Sequence, residues 1–163
     1  MNISEIQKLL SNVSDPEIPV LNVFDLGVIR EITLLGSGGV EVTITPTYSG
    51  CPAMKSIEFA IIAELEAHGI HPVKVNLVLN PAWTTDWMTE EGKKKLKAYG
   101  IAPPIKDSNE KRIDALFGEA PIPECPHCNS KNTRQISQFG STACKALYQC
   151  NDCKEPFDYF KCH

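Results

Sequence analysis

Two pairs of cysteines carry the clearest chemistry in this chain. CPHC at 125–128 and CNDC at 150–153 are CxxC pairs separated by 21 residues. Each pair can aim two thiolates at one point, and two pairs complete a tetrahedron of sulfur. The spacing suits a closed structural site for one zinc ion, with Cys125, Cys128, Cys150 and Cys153 as ligands. A sulfur-only tetrahedron also suits a single iron of the rubredoxin type, which would carry electrons. Unpaired thiols or two disulfides are the remaining reading. Two further thiols lie nearby: Cys144 between the pairs, and Cys162 before His163. Each is a candidate additional site, to be weighed against a buried small residue and a loose tail.

Cys51 stands alone in the first hundred residues, in TYSGCPAM. Pro52 suits the first position of a helix and Gly69 its end, which puts Cys51 at the N-cap. The positive end of a helix dipole suits an anionic sulfur, so Cys51 is a candidate reactive thiol or metal ligand. A buried cysteine acting as a small apolar residue is the plain alternative. Asp15, Glu17 and Asp25 lie upstream in a Pro-rich stretch, where acids commonly cap turns or face water. No Ser-His-Asp arrangement, phosphate-cradling glycine loop or HExxH motif is present.

The elements that would position these residues follow from periodicity. Ile3, Ile6, Leu9, Leu10 and Val13 have helical spacing. Pro16 and Pro19 forbid a long helix after them. Residues 28–35 and 40–46 read as strands joined by a glycine-rich turn, with Val40, Val42 and Ile44 facing inward. Met54, Ile57, Ile61 and Leu65 mark the buried stripe of the helix after Cys51. Val73, Val75, Leu77 and Leu79 alternate as a third strand, and 89–98 reads as a charged surface helix. Trp83 and Trp87 either close this domain or face a partner. The expectation is an α+β domain of helix, hairpin, helix and strand over 1–101. A linker over 102–124 follows, with one weakly apolar cluster from Ile113 to Phe117, and then a four-cysteine ribbon over 125–163. The ribbon is too short for a self-sufficient core, so metal would supply much of its folding free energy.

Composition bounds the partners. The 163 residues carry a net charge of -4, so there is no general attraction for nucleic acid or anionic membrane. From Cys125 onward, five Lys/Arg stand against three Asp/Glu, without a dense basic run, which argues against a nucleic-acid-binding ribbon. The aromatic residues Phe139, Tyr148, Phe157, Tyr159 and Phe160 are expected to form the ribbon's core. No stretch reaches the ~18 apolar residues of a membrane span, and MNISEIQKLL lacks the features of a secretion signal. A cytoplasmic, reducing setting is expected, where CxxC pairs favour metal over disulfides.

DPEIP at 15–19, NVFDLGVIR at 22–30 and TYSGCPAM at 47–54 together resemble the SufT-type iron–sulfur assembly family. That resemblance implies that Cys51 is the family's characteristic cysteine and that Asp15, Glu17 and Asp25 belong to its signature loop. CPHC, FGSTACKALYQC, NDC and EPFDYFKCH resemble the ribbon of the PaaD/PaaJ family, whose members are encoded with the multicomponent phenylacetyl-CoA epoxidase. This implies an accessory role in aerobic phenylacetate breakdown, assisting maturation or insertion of an iron or iron–sulfur centre. A transient iron or cluster would join the structural zinc. The implied partners are other epoxidase subunits, the iron–sulfur reductase or the diiron oxygenase. The chain itself has neither paired Glu-x-x-His motifs nor a dinucleotide-binding glycine fingerprint, so it is expected not to be the enzyme.

Overall fold

A computed structural model of the chain describes residues 2–105 and 121–161. Cys162, His163 and the Ile113–Phe117 cluster lie outside the described residues. The chain divides into two compact units, Met1–Gly92 and Lys93–His163.

The first unit is the expected α+β arrangement. Helix α1 (Ile3–Leu10) opens with a capping box: the Asn2 side chain accepts from the Glu5 amide, and the Glu5 side chain accepts from the Asn2 amide. Strands β1 (Ile29–Leu34) and β2 (Val40–Ile44) form an antiparallel hairpin, and β3 (Val73–Leu77) adds parallel to β2. The sheet order is β1-β2-β3, so β2 is central. Val40, Val42 and Ile44 are buried, as their alternation requires. Helix α2 (Ala53–Ala67) buries Ala53, Met54, Ile57, Ile61 and Leu65. It ends at His68, whose Nδ1 lies 2.8 Å from the Glu64 carbonyl, and Gly69 follows at φ +77°.

The segment after β3 closes this unit. Trp83 is buried and donates its indole N–H to the Leu26 carbonyl at 2.8 Å. Thr89 N-caps α3 (Glu90–Ala98) by accepting from the Gly92 amide at 2.9 Å. Gly27 adopts φ +68°, and a Cβ there would collide with the Trp87 carbonyl. Trp83 therefore closes the domain. Trp87 is half-buried, with the Arg30 guanidinium 3.6 Å over its ring.

The second unit is a four-stranded sheet in the order β4-β7-β6-β5, built from β4 (Ile101–Ala102), β5 (Thr133–Ser137), β6 (Lys145–Cys150) and β7 (Pro156–Phe160). The change in composition at Ala102 does not mark the start of a free linker. Ile101 and Ala102 pair in parallel with Asp158 and Tyr159 of β7, and Ala102 is fully buried. A two-residue strand has too little periodicity to be read in advance. Of the five aromatic residues expected in the ribbon core, Tyr148, Phe157, Tyr159 and Phe160 are buried. Phe139 is not; it is 55% exposed. Tyr148 stacks on Phe157 with ring centroids 5.9 Å apart and meets Tyr159 edge-on at 5.6 Å. Its hydroxyl donates to the Pro121 carbonyl at 2.8 Å, and burial, with Tyr159 beside it, pushes that phenol up to about 12.

Trp83→Phe keeps an aromatic ring but leaves the Leu26 carbonyl without its donor. It is expected to lower unfolding free energy by about 1–3 kcal/mol, measured by urea denaturation. An unchanged midpoint would show that the indole bond does not hold the closing segment.

Candidate functional site

The two CxxC pairs fold into matching knuckles. The Cys125 amide donates to the Ser130 carbonyl at 2.9 Å, and the Cys150 amide to the Glu155 carbonyl at 3.0 Å. Both bonds span five residues and close the same loop. The residue after the second cysteine of each knuckle is left-handed: Asn129 at φ 62° and Lys154 at φ 67°. The left-handed turn leaves amides aimed at sulfur. Those of Asp152 and Cys153 reach Cys150, that of Ser130 reaches Cys128 and that of Glu155 reaches Cys153. The knuckles are stapled together. Asp152 accepts from the Ser130 hydroxyl and from the Asn132 amide group at 2.8 Å, and these bonds hold its carboxyl below the usual range. The Asn151 amide donates to the Asn132 carbonyl at 2.8 Å.

This frame brings all four sulfurs within 4.8 Å of one another. Cys125 and Cys153 Sγ are 3.8 Å apart, and Cys128 and Cys150 Sγ are 3.5 Å apart. A disulfide needs about 2.0 Å, so all four are free thiols rather than two bridges. Metal–sulfur bonds of about 2.3 Å at tetrahedral angles place sulfurs about 3.8 Å apart, and the donor set fits. Cys125 and Cys150 are buried among Ala146, Tyr148 and Phe157, whereas Cys128 and Cys153 lie nearer solvent.

The electrostatics call for a cation. Burial pushes the Cys150 thiol up, but the Cys153 and Asp152 amides and the facing sulfurs outweigh it and bring the thiol to about 7. At Cys153 the Glu155 amide pulls down, yet burial and the three neighbouring sulfurs drive the thiol to about 12. Cys128 is likewise raised: the Ser130 amide pulls it down, but burial and the Cys150 sulfur prevail. Of these thiols Cys150 is lowered, while Cys128 and Cys153 are raised by burial and the sulfurs around them. A divalent ion removes the repulsion among the sulfurs and lets the cluster bind as thiolates.

Cys51 has a different setting. It is half-buried and one residue outside the helix rather than at its N-cap, a position held by Pro52. The Cys51 carbonyl nevertheless accepts from the Met54 amide at 3.2 Å, and its own amide donates to the Tyr48 carbonyl at 3.2 Å. Pro52 offers no side-chain cap, and the first turn of α2 has no acid, so apart from the Met54–Cys51 bond nothing offsets the positive end of the helix dipole there. Gly50 turns the chain at φ +82° just before the sulfur.

Two of the loop acids, Asp15 and Asp25, hold their own turns. Asp15 is buried, and its Oδ1 accepts from the Glu17 and Ile18 amides at 2.8 Å each. The loop is closed by the Ser14–Asn22 bridge, and Glu17 within it is half-buried. Asp25 accepts from the Asn22 amide at 3.1 Å, while Asn22 accepts in return from the Asp25 amide at 2.8 Å. The Thr89 hydroxyl lies 3.4 Å from Asp25 Oδ1, and a Cβ on Gly92 would sit 2.9 Å from the Asp25 Cβ.

Cys144 is buried, with the Thr142 hydroxyl 3.1 Å from its sulfur. It is not part of the four-sulfur cluster. One residue gave no signal in the sequence: Thr45, just after β2 and six residues before Cys51. It is 1% exposed, and among the described residues its hydroxyl has no hydrogen-bond partner. Alternation with Glu41 and Thr43 puts it on the solvent-facing side of the hairpin, whereas the structure buries it.

Residues 3–77 match the family model for the iron–sulfur cluster assembly protein, and residues 109–161 match that for the PaaD zinc beta ribbon domain. One relative spans both. A protein of Escherichia coli K12, named for a subunit of 1,2-phenylacetyl-CoA epoxidase, is 51% identical over 160 residues, covering 98% of this chain and 93% of that protein. The chain belongs to the PaaD family. Its first half is also similar to an Fe-S protein maturation auxiliary factor of Porphyromonas gingivalis, at 41% identity over 53% of this chain and 83% of that protein. The crystal structure of a DUF59 domain from Bacillus anthracis superposes with a TM-score of 0.54 at 26% identity, over 57% of this chain and 89% of the domain. This PaaD-family chain thus joins an assembly-type domain to a zinc-ribbon domain. Among the described residues, no helix is long and apolar enough to cross a membrane.

Chelating the metal from loaded protein is expected to collapse amide dispersion of the ribbon in NMR spectra. Retention of ribbon dispersion after complete metal removal would show that the four sulfurs are not its folding determinant.

Proposed function

We propose that this PaaD-family chain is a non-catalytic accessory protein that helps mature or insert an iron or iron–sulfur centre of the phenylacetyl-CoA epoxidase system. The observation that carries this reading is the contrast between its cysteines. Four sulfurs close on one another and leave no open coordination position for a reacting group. Cys51 stands apart, half-buried beside an uncapped helix start in a domain of the iron–sulfur assembly type. A site that must accept and release a metal needs an accessible sulfur, and Cys51 offers one.

In this reading the ribbon ion is structural zinc held by Cys125, Cys128, Cys150 and Cys153, and it supplies folding free energy rather than chemistry. Cys51 is a transient ligand or reactive thiolate toward an iron or cluster that is cargo. Asp15 and Asp25 set the loop conformation, and Glu17 sits half-buried within it. The relatives named as Fe-S protein maturation auxiliary factors support the accessory role. The client is a component of the epoxidase, either its iron–sulfur reductase or its diiron oxygenase.

Epoxidase components produced with Cys51→Ala in this chain are expected to have reduced iron or cluster content and reduced oxygenase activity, with the chain's own zinc unchanged. Full cluster content and activity would overturn the role of Cys51. Metal analysis and an absorption spectrum of the anaerobically purified chain test the ribbon: colourless protein with one zinc is expected. Coloured protein that bleaches on reduction would make it an iron electron carrier instead.

A further inference from the structure

The ribbon exposes two large apolar side chains within four residues. Ile136 is 51% exposed and Phe139 is 55% exposed. Both lie in or just beyond β5, the edge strand of its sheet. The register of β5 on β6 shifts between Gln135 and Ser137, so Ile136 is the extra residue of a bulge. A bulge twists an edge away from strand pairing and re-aims its side chain. This surface is therefore built to present side chains rather than to add a strand.

The surroundings are basic. Lys131 and Arg134 precede Ile136, Lys161 lies over the Phe139 ring at 4.2 Å, and residues 130–140 contain no acid. Arg134 is held in place by Gln149 Oε1 at 2.7 Å. The nearest acids already have partners: Asp152 accepts from Ser130 and Asn132 at the start of this stretch, Asp158 lies beside Gly140 and 4.0 Å from Lys145, and Glu124 pairs with Lys97. The charge is segregated along the chain. Over the described residues, the second unit has nine Lys/Arg against four Asp/Glu, whereas the first has four against twelve. Residues 130–140 carry Lys131 and Arg134 and no acid, so a chain acidic as a whole has a locally basic stretch here.

Apolar anchors inside a charged rim have the anatomy of a protein interface. Nucleic acid fits less well. The cations are few for phosphate neutralisation. One face of Phe139, the only exposed aromatic ring in this stretch, is already covered by the Lys161 ammonium, which also donates to the Gln138 carbonyl. That leaves little platform for a base to stack on.

We propose that the Lys131–Phe139 edge of the ribbon docks an acidic protein surface of an epoxidase component, with Ile136 and Phe139 as its apolar anchors. The partner supplies an apolar recess rimmed by Asp and Glu. This rests on the accessory role proposed above and adds the surface and the partner's chemistry.

The test uses the full zinc-loaded chain against each purified epoxidase component, the reductase and the oxygenase, by interferometry at low and high salt. The chain is expected to bind one component. The Ile136→Asp/Phe139→Asp double variant should weaken binding by at least about tenfold. Lys131→Glu/Arg134→Glu should slow association and remove most of its salt dependence. Zinc content and melting temperature should stay unchanged, because all four side chains are exposed. Cys51→Ala should bind normally, which separates docking from metal handling. Unaltered affinity in both double variants would overturn the docking surface while leaving the role of Cys51 standing. Absence of binding to either component would overturn it too, with cluster content still deciding the function. Retention on duplex DNA that the same variants abolish would reassign the surface to nucleic acid.

Discussion

Four sulfur atoms crowded within 4.8 Å set the terms for the C-terminal unit. Thiolates at that distance repel one another, while the amides aimed at Cys150 bring its thiol down and burial with the neighbouring sulfurs pushes Cys153 up. A divalent cation bound among the four would offset that repulsion. The remainder of the ribbon is arranged around those sulfurs. Two left-handed residues bend the knuckles, amides point at sulfur, and Asp152 ties one knuckle to the other. The aromatic cluster of Tyr148, Phe157 and Tyr159 packs against the buried pair Cys125 and Cys150, so two of the four sulfurs belong to the small core itself.

The first unit solves a different problem without metal. Its Pro-rich loop has no periodic structure to hold it, yet it must keep a fixed shape. Asp15 and Asp25 do this by accepting backbone amides within their own turns, and the segment from Trp83 to Gly92 packs over the second turn. Such a rigid frame leaves Cys51 accessible at an uncapped helix start. The buried Thr45 hydroxyl is discordant with that economy. An unpaired buried hydroxyl costs about 1–3 kcal/mol, and such costs collect at functional sites. The two units thus differ in their sulfur: four cysteines close on one another in the ribbon, and a single half-buried cysteine precedes α2 in the first unit.

Much of this was legible in the sequence because the controlling physics is local. A CxxC spacing fixes where two sulfurs can point, whatever surrounds them. The stripe Met54, Ile57, Ile61 and Leu65 and the alternation Val40, Val42, Ile44 state which faces are buried. The start and stop of α2 followed from Pro52 and Gly69 to within a residue or two.

What only the tertiary structure decided involves partners far apart in the chain. Asp25 meets Thr89 across 64 residues and Trp83 meets Leu26 across 57, and no spacing rule connects them. Ala102 becomes a strand because the edge of β7 receives it, not because two residues carry a pattern. Composition treated Phe139 as core, but a bulge in β5 and a loop beyond it carry the ring outward. The four-cysteine centre was readable because each knuckle folds on itself. Which aromatic residues enclose it, which acids are locked, and which face of the ribbon is left basic and apolar depend on how distant segments pack.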